Sequence, residues 1–331
     1  MKRILTPFKG GAAAVVMAVS ATALPTAFAA DDAKDVRIAA LVPGRPGCLA
    51  GAPRAAFDRG LRQAGYDPSV VTQYCYLELA DVPGRVRQIL DTRPSVLVLW
   101  GSAVAARAVK DATATLPFVF VDVPDPVGNG LVKSLASPGG NATGISNIGD
   151  ELLGKRVELL KEALPHITRI AILANLANPN QLDYSSRTQE AARSLQIEAR
   201  VFSVETQPQL ATAFAAMERD RRQAVVLMSD PWFYSNRAEI VALAASHRIP
   251  AIYNSTAYPA LGGLLTYAAD VLDISERAAA YVGKILKGAK PGDLPVEQPT
   301  KFEFVVNAKT AHELGITLSP ATMLRATRVI E

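Results

Sequence analysis

The sequence predicts an α/β protein made of two doubly wound parallel-sheet lobes joined by a multi-segment hinge. Three observations predict it. Short apolar runs alternate with amphipathic stretches along nearly the whole chain, and the alternation restarts after residue 150. The second half also echoes the first. Arg37-Ile38-Ala39-Ala40-Leu41 is matched by Arg169-Ile170-Ala171-Ile172-Leu173 at an offset of 132, and Leu116-Pro117 before Phe118–Val121 by Ile249-Pro250 before Ala251–Tyr253 at 133. Strand–helix alternation within each half requires parallel strands joined by crossover helices. At 331 residues the chain has length for about two domains, each able to bury a core.

The first half reads as strands at Val36–Val42, Val70–Tyr76, Val96–Trp100 and Phe118–Val121. They are short, rich in Val, Leu and Phe, and lack strict alternation, as strands buried on both faces do. Phe57, Leu61 and Ala64 share one helix face, with Gly65 placed to stop that helix. Ser102 suits the cap of a helix beginning at Ala103. In the second half Leu153, Val157, Leu160 and Leu164 recur at helical spacing, and Pro165 ends the run. Strands follow at Arg169–Leu173, Ala199–Val204, Ala224–Met228 and Ala251–Tyr253, separated by helices at Leu182–Leu195, Leu210–Arg221 and Glu239–Ser246. The tail adds a strand at Leu264–Tyr267, a helix at Asp273–Leu286, a Pro- and Gly-rich loop at 287–299, a strand at Phe302–Val306 and a short helix at Ala308–Leu314. These elements are expected to return to the first lobe and cross over again. The expected division is a signal over 1–29, a first lobe over 35–147 plus 255–298, and a second over 148–254 plus 299–331.

Lys2 and Arg3, the apolar Ala12–Leu24 and the small-x-small pattern Ala27-Phe28-Ala29 form an export signal cut near Ala29. No cysteine lies near that cut, which argues against a lipid-anchored form. The first thirty residues carry Lys2, Arg3, Lys9 and no acid, so 32 basic groups remain against 31 acidic and the exported chain sits near +1. Its field is too weak for a nucleic-acid binder. No later segment has the roughly 20 apolar residues of a membrane span. The expected location is the periplasm, where Cys48 and Cys75 are able to form one disulfide, two separate thiols being the alternative. His166, His247 and His312 are scattered, and with two cysteines they make no metal site.

No catalytic constellation emerges. Pro43-Gly44-Arg45-Pro46-Gly47-Cys48 is not a dinucleotide fingerprint, and no phosphate loop, metalloprotease helix or nucleophile elbow occurs. No cofactor is expected. The informative polar residues stand at the carboxyl ends of the strands, where open α/β sheets gather ligands. They are Pro43, Gly44, Trp100, Gly101, Ser102, Asp122, Asn175, Ser229, Asp230, Tyr253 and Asn254. Gly101 and Ser102 lead into a helix whose free N–H groups suit an anion. Trp100 and Tyr253 offer flat apolar surface, and Asp122 and Asp230 accept from an ammonium or hydroxyl. Each also has a plain structural reading: core for Trp100, a helix cap for Ser102, turns for the aspartates and Asn175.

At these segments the sequence resembles a known family. The matching blocks are Leu116–Val121 through Asp125-Pro126-Val127-Gly128, Gly130-Leu131-Val132 with Ser134-Leu135, and Pro138-Gly139-Gly140-Asn141-Ala142-Thr143-Gly144. They continue with Gly154–Glu162, Asn175–Pro179, Ile249–Tyr253, Gly262–Tyr267, Lys284–Pro291 and Leu294–Phe302. Together they resemble the ABC transporter substrate-binding proteins of the type I periplasmic-binding-protein fold, the group that includes tryptophan/tyrosine-type binding proteins. The resemblance implies a monomeric receptor that closes around a small molecule, such as an amino acid or other small carboxylate, and delivers it to an inner-membrane ABC permease. Departures from the family pattern fall near the expected cleft: Trp100-Gly101-Ser102 in place of a small residue with Gly-Thr, Ala174 in place of an aromatic, and the two cysteines. A sensor domain serving a kinase or chemoreceptor and a secreted enzyme on the same scaffold are the competing functions. A repressor core is disfavoured by the export signal and the lack of a helix-turn-helix before Val36.

Overall fold

A computed structural model describes residues 36–331; the expected export signal over 1–29 lies outside the described residues. The first sheet holds β1 (Ile38–Pro43), β2 (Val71–Tyr76), β3 (Val96–Trp100), β4 (Phe118–Pro124) and β5 (Ala142–Asn147), in spatial order β2-β1-β3-β4-β5 and parallel throughout. Between these strands run α1 (Gly51–Ala64), α2 (Val82–Asp91) and α3 (Ala103–Ala112). Every residue of β1 and β3 is buried, whereas β2, on the edge, is only partly so. That accounts for the unbroken apolar runs of the central strands and for Gln73 and Thr72 in the edge strand.

The chain then passes into α4 (Gly149–Ala163) and builds β6 (Arg169–Ala174), α5 (Gln181–Ser194), β7 (Glu198–Ser203), α6 (Gln207–Arg219), β8 (Ala224–Leu227), α7 (Pro231–Ser235), α8 (Arg237–Ser246), β9 (Ala251–Tyr253) and β10 (Leu265–Ala269). The second sheet runs β12-β11-β10-β9-β8-β6-β7, where β11 is Phe302–Asn307 and β12 is Arg328–Ile330. Its β7-β6-β8-β9-β10 portion repeats the order of the first sheet, so the sequence echo joins topological counterparts: β1 with β6, and β4 with β9. One pairing is antiparallel, β10 with β11.

The expected lobe boundary differs over 255–270. β10 hydrogen-bonds to β9 and β11 and so belongs to the second sheet, in contrast to the expectation that 255–298 returns whole to the first lobe. An apolar strand pattern states that a strand exists and not which neighbour it pairs with. The return to the first sheet begins one element later, with α9 (Val271–Leu286). Its Ile274, Ala278, Tyr281, Val282 and Ile285 pack with Phe57, Leu61, Val98 and Val121 in one core. The strand β5 has no apolar signature of its own, since Thr143, Gly144, Ser146 and Asn147 dominate it. It forms because β4 offers an open parallel edge on one side and Glu297 caps the other, Ser146 N donating to Glu297 O at 2.9 Å.

Three segments therefore connect the two sheets: 147–149, 269–271 and 298–302. The third is anchored to α9. Arg277 bonds to Glu297 and Asp273, Tyr281 Oη donates to the Pro295 carbonyl at 2.6 Å, and Lys301 reaches Asp273 at 2.6 Å. After β11 the chain ends with α10 (Ala308–Leu314), α11 (Pro320–Arg325) and β12 against the second sheet. Cys48 and Cys75 are joined as a disulfide, tying the loop after β1 to β2. The Gln73 side chain reinforces the tie by accepting from Leu49 N at 3.1 Å and donating to Leu49 O at 3.0 Å.

The contact of α9 with α1 depends on glycine. A Cβ on Gly60 would lie 2.6 Å from the Glu276 carbonyl and 2.7 Å from Ala279 Cβ. Gly60→Val is therefore expected to lower the melting temperature by several degrees, through an overpacking cost of about 1–3 kcal/mol. Gly154→Ala is the control: its Cβ would meet nothing closer than Ala191 Cβ at 3.8 Å, so helix propensity alone should act and stability should not fall. Thermal melts of both variants check the pair.

Candidate functional site

The carboxyl ends of the two sheets face one cavity of about 90 Å³. One water needs about 10–15 Å³ on that measure, so the space suits a molecule of several non-hydrogen atoms. Of the residues expected from the sequence, Gly101, Ser102, Asp122, Ser229 and Asn254 line it. The other six stand elsewhere. Trp100 is core, 8% exposed and edge-on to Phe57 at 5.3 Å. Tyr253 is 1% exposed and stacked on Tyr258 at 4.6 Å. Neither supplies the flat ligand surface expected of it; both end their strands facing the covering helices. Pro43 is buried, and Gly44 closes the first sheet by donating to Tyr76 O at 2.8 Å, beside a separate groove next to the disulfide.

Asp230 and Asn175 lie behind the wall as a clasp. The buried Asp230 carboxylate accepts from Asn178 Nδ2 at 2.9 Å, from Asn175 Nδ2 at 3.4 Å and from Trp232 N at 2.9 Å. It thereby caps α7 and holds the loop after β6 to the loop after β8. Burial raises its pKa, and the two asparagine donors pull against that rise. The clasp places Asn178 and Gln181 on the cavity.

On the first-lobe side, Ser102 Oγ accepts from Ala105 N at 3.1 Å and so caps α3, as its position before Ala103 implies. Gly101 takes φ 69°, which turns the chain from β3 into that helix without a Cβ penalty. Asp122 is more unusual. It has φ 58° in the middle of β4, where the register with β5 slips between Val121 and Val123. A left-handed non-glycine residue in a strand is strained, and the strain turns its carboxylate onto the cavity. Asn147 Nδ2 donates to the Asp122 carbonyl at 3.2 Å and steadies the bulge.

Sequence reasoning missed several lining residues: Arg156, Asn147, Asn178, Gln181, Tyr184 and an apolar set that includes Leu152, Leu153 and Met228. Arg156 is 4% exposed. Burial lowers its pKa to about 10, partly offset by Asp122; burial likewise raises Asp122 to about 6, partly offset by Asn147 and Arg156. A signal for Arg156 existed. It lies four residues after Leu152 and four before Leu160, on the apolar face of α4, where a cation is out of place. Gln181 is fully buried, its Nε2 donating to Ser229 O at 2.7 Å while its Oε1 has no partner. Asn254 Oδ1 is likewise unpartnered. Among the described residues no group of His, Cys, Asp and Glu is placed to hold a metal.

Asp122 gives this site a pH signature. Its raised pKa means that the folded state keeps a proton which the unfolded chain has released above about pH 4. The group's contribution to stability is present at the acid end and is lost as pH rises through about 6. Asp122→Asn is therefore expected to be more stable than the parent at pH 7.5 without ligand, with the gap closing near pH 4. Thermal melts across pH 4–8 measure it.

The family described as ABC transporter substrate binding protein matches residues 49–330. The chain is 25% identical over 215 residues to the tyrosine-binding protein of Clostridioides difficile strain R20291; the match takes in 65% of this chain and 61% of that protein, under two thirds of its length. Among solved structures it is similar to a conserved domain protein from Vibrio cholerae, at 27% identity and a TM-score of 0.79, over 89% of this chain and 99% of that one. It is also similar to the ABC domain from Streptococcus pneumonia in complex with L-Trp, at 25% identity and a TM-score of 0.77, over 89% and 100%.

Proposed function

We propose, for a chain that belongs to the ABC transporter substrate-binding protein family, that it is the extracytoplasmic solute receptor of an ABC importer and closes its two lobes around an amino acid. Delivery to an inner-membrane permease, a periplasmic location after removal of residues 1–29, and binding without turnover belong to the same reading. The observation that carries it is the cavity itself. It lies between two sheets joined by three segments, which is the arrangement hinge closure needs. It combines an acid from one lobe, Asp122, with a base from the other, Arg156, and an apolar wall. An α-amino acid has both charges and an apolar remainder. The tyrosine named for one relative and the L-Trp held by another favour an aromatic side chain, for which Tyr184, Leu152 and Met228 supply apolar surface.

The test is a thermal-shift screen of the exported chain, refolded to strip bound ligand, against the proteinogenic amino acids, aromatic acids, sugars and purines. A ligand that binds only the folded state raises the melting temperature, and the rise grows with ligand concentration over Kd. L-Tyrosine or L-tryptophan is expected to give the largest shift. A shift confined to sugars or purines, or none with any amino acid, overturns the reading.

A further inference from the structure

Arg156 projects from α4 of the second lobe onto the cavity and is almost wholly out of water. Among the described residues its one hydrogen bond is from Nε to the Tyr267 carbonyl of β10, at 2.9 Å. That bond fixes the arm and leaves both terminal nitrogens uncommitted. Asp122 is the opposite charge that acts on it most strongly, yet no ion pair of 4.0 Å or less joins the two. A buried guanidinium without a close anion is costly, and a planar carboxylate is the group that matches its fork with two parallel hydrogen bonds.

The same cavity carries the complementary lack. Gln181 Oε1 and Asn254 Oδ1 are buried acceptors without donors, and the Asp122 carboxylate stands on the other lobe. Each such acceptor is expensive to leave unmet. An ammonium carries three N–H donors, and three acceptors surround this space.

We infer that the cavity is built for a zwitterion whose carboxylate lies on Arg156 and whose ammonium is shared by Asp122, Gln181 and Asn254, so that the ligand supplies the salt bridge missing between the lobes. The inference rests on the amino-acid reading above and adds the anchor and the direction in which the ligand lies. It also states why closure follows binding. The carboxylate end engages only the second lobe, through Arg156, whereas the ammonium end engages Asp122 of the first lobe together with Gln181 and Asn254 of the second, so the ammonium is the end that joins the lobes.

The experiment is titration calorimetry on the exported chain with L-tyrosine, with tyramine, which lacks the carboxylate, and with 3-(4-hydroxyphenyl)propionate, which lacks the amine. It is repeated on Arg156→Met and Arg156→Lys. The parent should bind L-tyrosine at least about thirtyfold more tightly than either truncated probe, the loss expected when one partner of a buried charge pair is removed. Arg156→Met should lose about that factor for L-tyrosine while tyramine affinity stays within about threefold, so that discrimination collapses. A purely structural role for Arg156 would weaken both probes together and overturns the inference, as does an Arg156→Met protein that keeps its preference for L-tyrosine. Should Arg156→Met fail to fold, Arg156→Lys decides: it keeps the charge and loses the fork, so preference for L-tyrosine over tyramine should fall about tenfold, and an unchanged preference overturns the assignment. A parent that binds L-tyrosine and tyramine alike refutes the anchor and leaves the amino-acid reading standing. A parent that binds no amino acid in the screen refutes both.

Discussion

A parallel sheet must be covered on both faces, and the first sheet is not covered by its own crossover helices. α2 and α3 take one face; α1 alone is too narrow for the other. The missing cover is α9, which comes from a part of the chain that has already completed most of the second sheet. Much else depends on that loan. It forces the chain to cross between sheets three times instead of once. It makes Gly60 a packing requirement, because at that point the α9 backbone and Ala279 leave no room for a Cβ on α1. It also brings Glu297 to the open edge of β5, where Ile145 and Ser146 pair with it.

The placement of the polar chemistry follows from the same burial. The strands β1, β3 and β6 carry no polar side chain along their buried lengths, so the polar groups near them collect at the strand ends. There the two sheets present loops to each other. Asp122 reaches this space only because β4 slips register and adopts a strained turn, and Arg156 only because α4 lies at a crossing between lobes. A strained residue and a desolvated cation are both local losses of stability, of the kind folded proteins concentrate where they bind.

The fold was largely legible from the sequence because its signals are local: runs such as Val96–Trp100 and caps such as Ser102 need no distant partner to be recognised. The failures are non-local. β5 is polar in composition and forms through its neighbours, and β10 was given the wrong sheet because a strand does not encode its partner. The echo contained the remedy. β10 is the second sheet's counterpart of β5, so the repeat, once extended by one strand, places it correctly. The site divides in the same way. Strand-end reasoning reaches Ser102, Asp122, Ser229 and Asn254, yet strand ends alternate, and every second side chain, Trp100 and Tyr253 among them, turns into the core. Residues contributed by helices, such as Arg156 and Gln181, are invisible to it.

The loops that follow the first strand of each sheet are stiffened by different chemistries. The loop after β1 is stapled by Cys48–Cys75 and the Gln73 amide, a covalent tie that does not titrate. Its counterpart after β6 is held by the buried Asp230 carboxylate and two asparagines, a tie that responds to protons and contains no sulfur. The two loops are thus unequal in what acts on them: a reductant acts on one and a change of pH on the other. A change of acidity alone therefore reaches the loop after β6 and leaves the stapled loop after β1 unaltered.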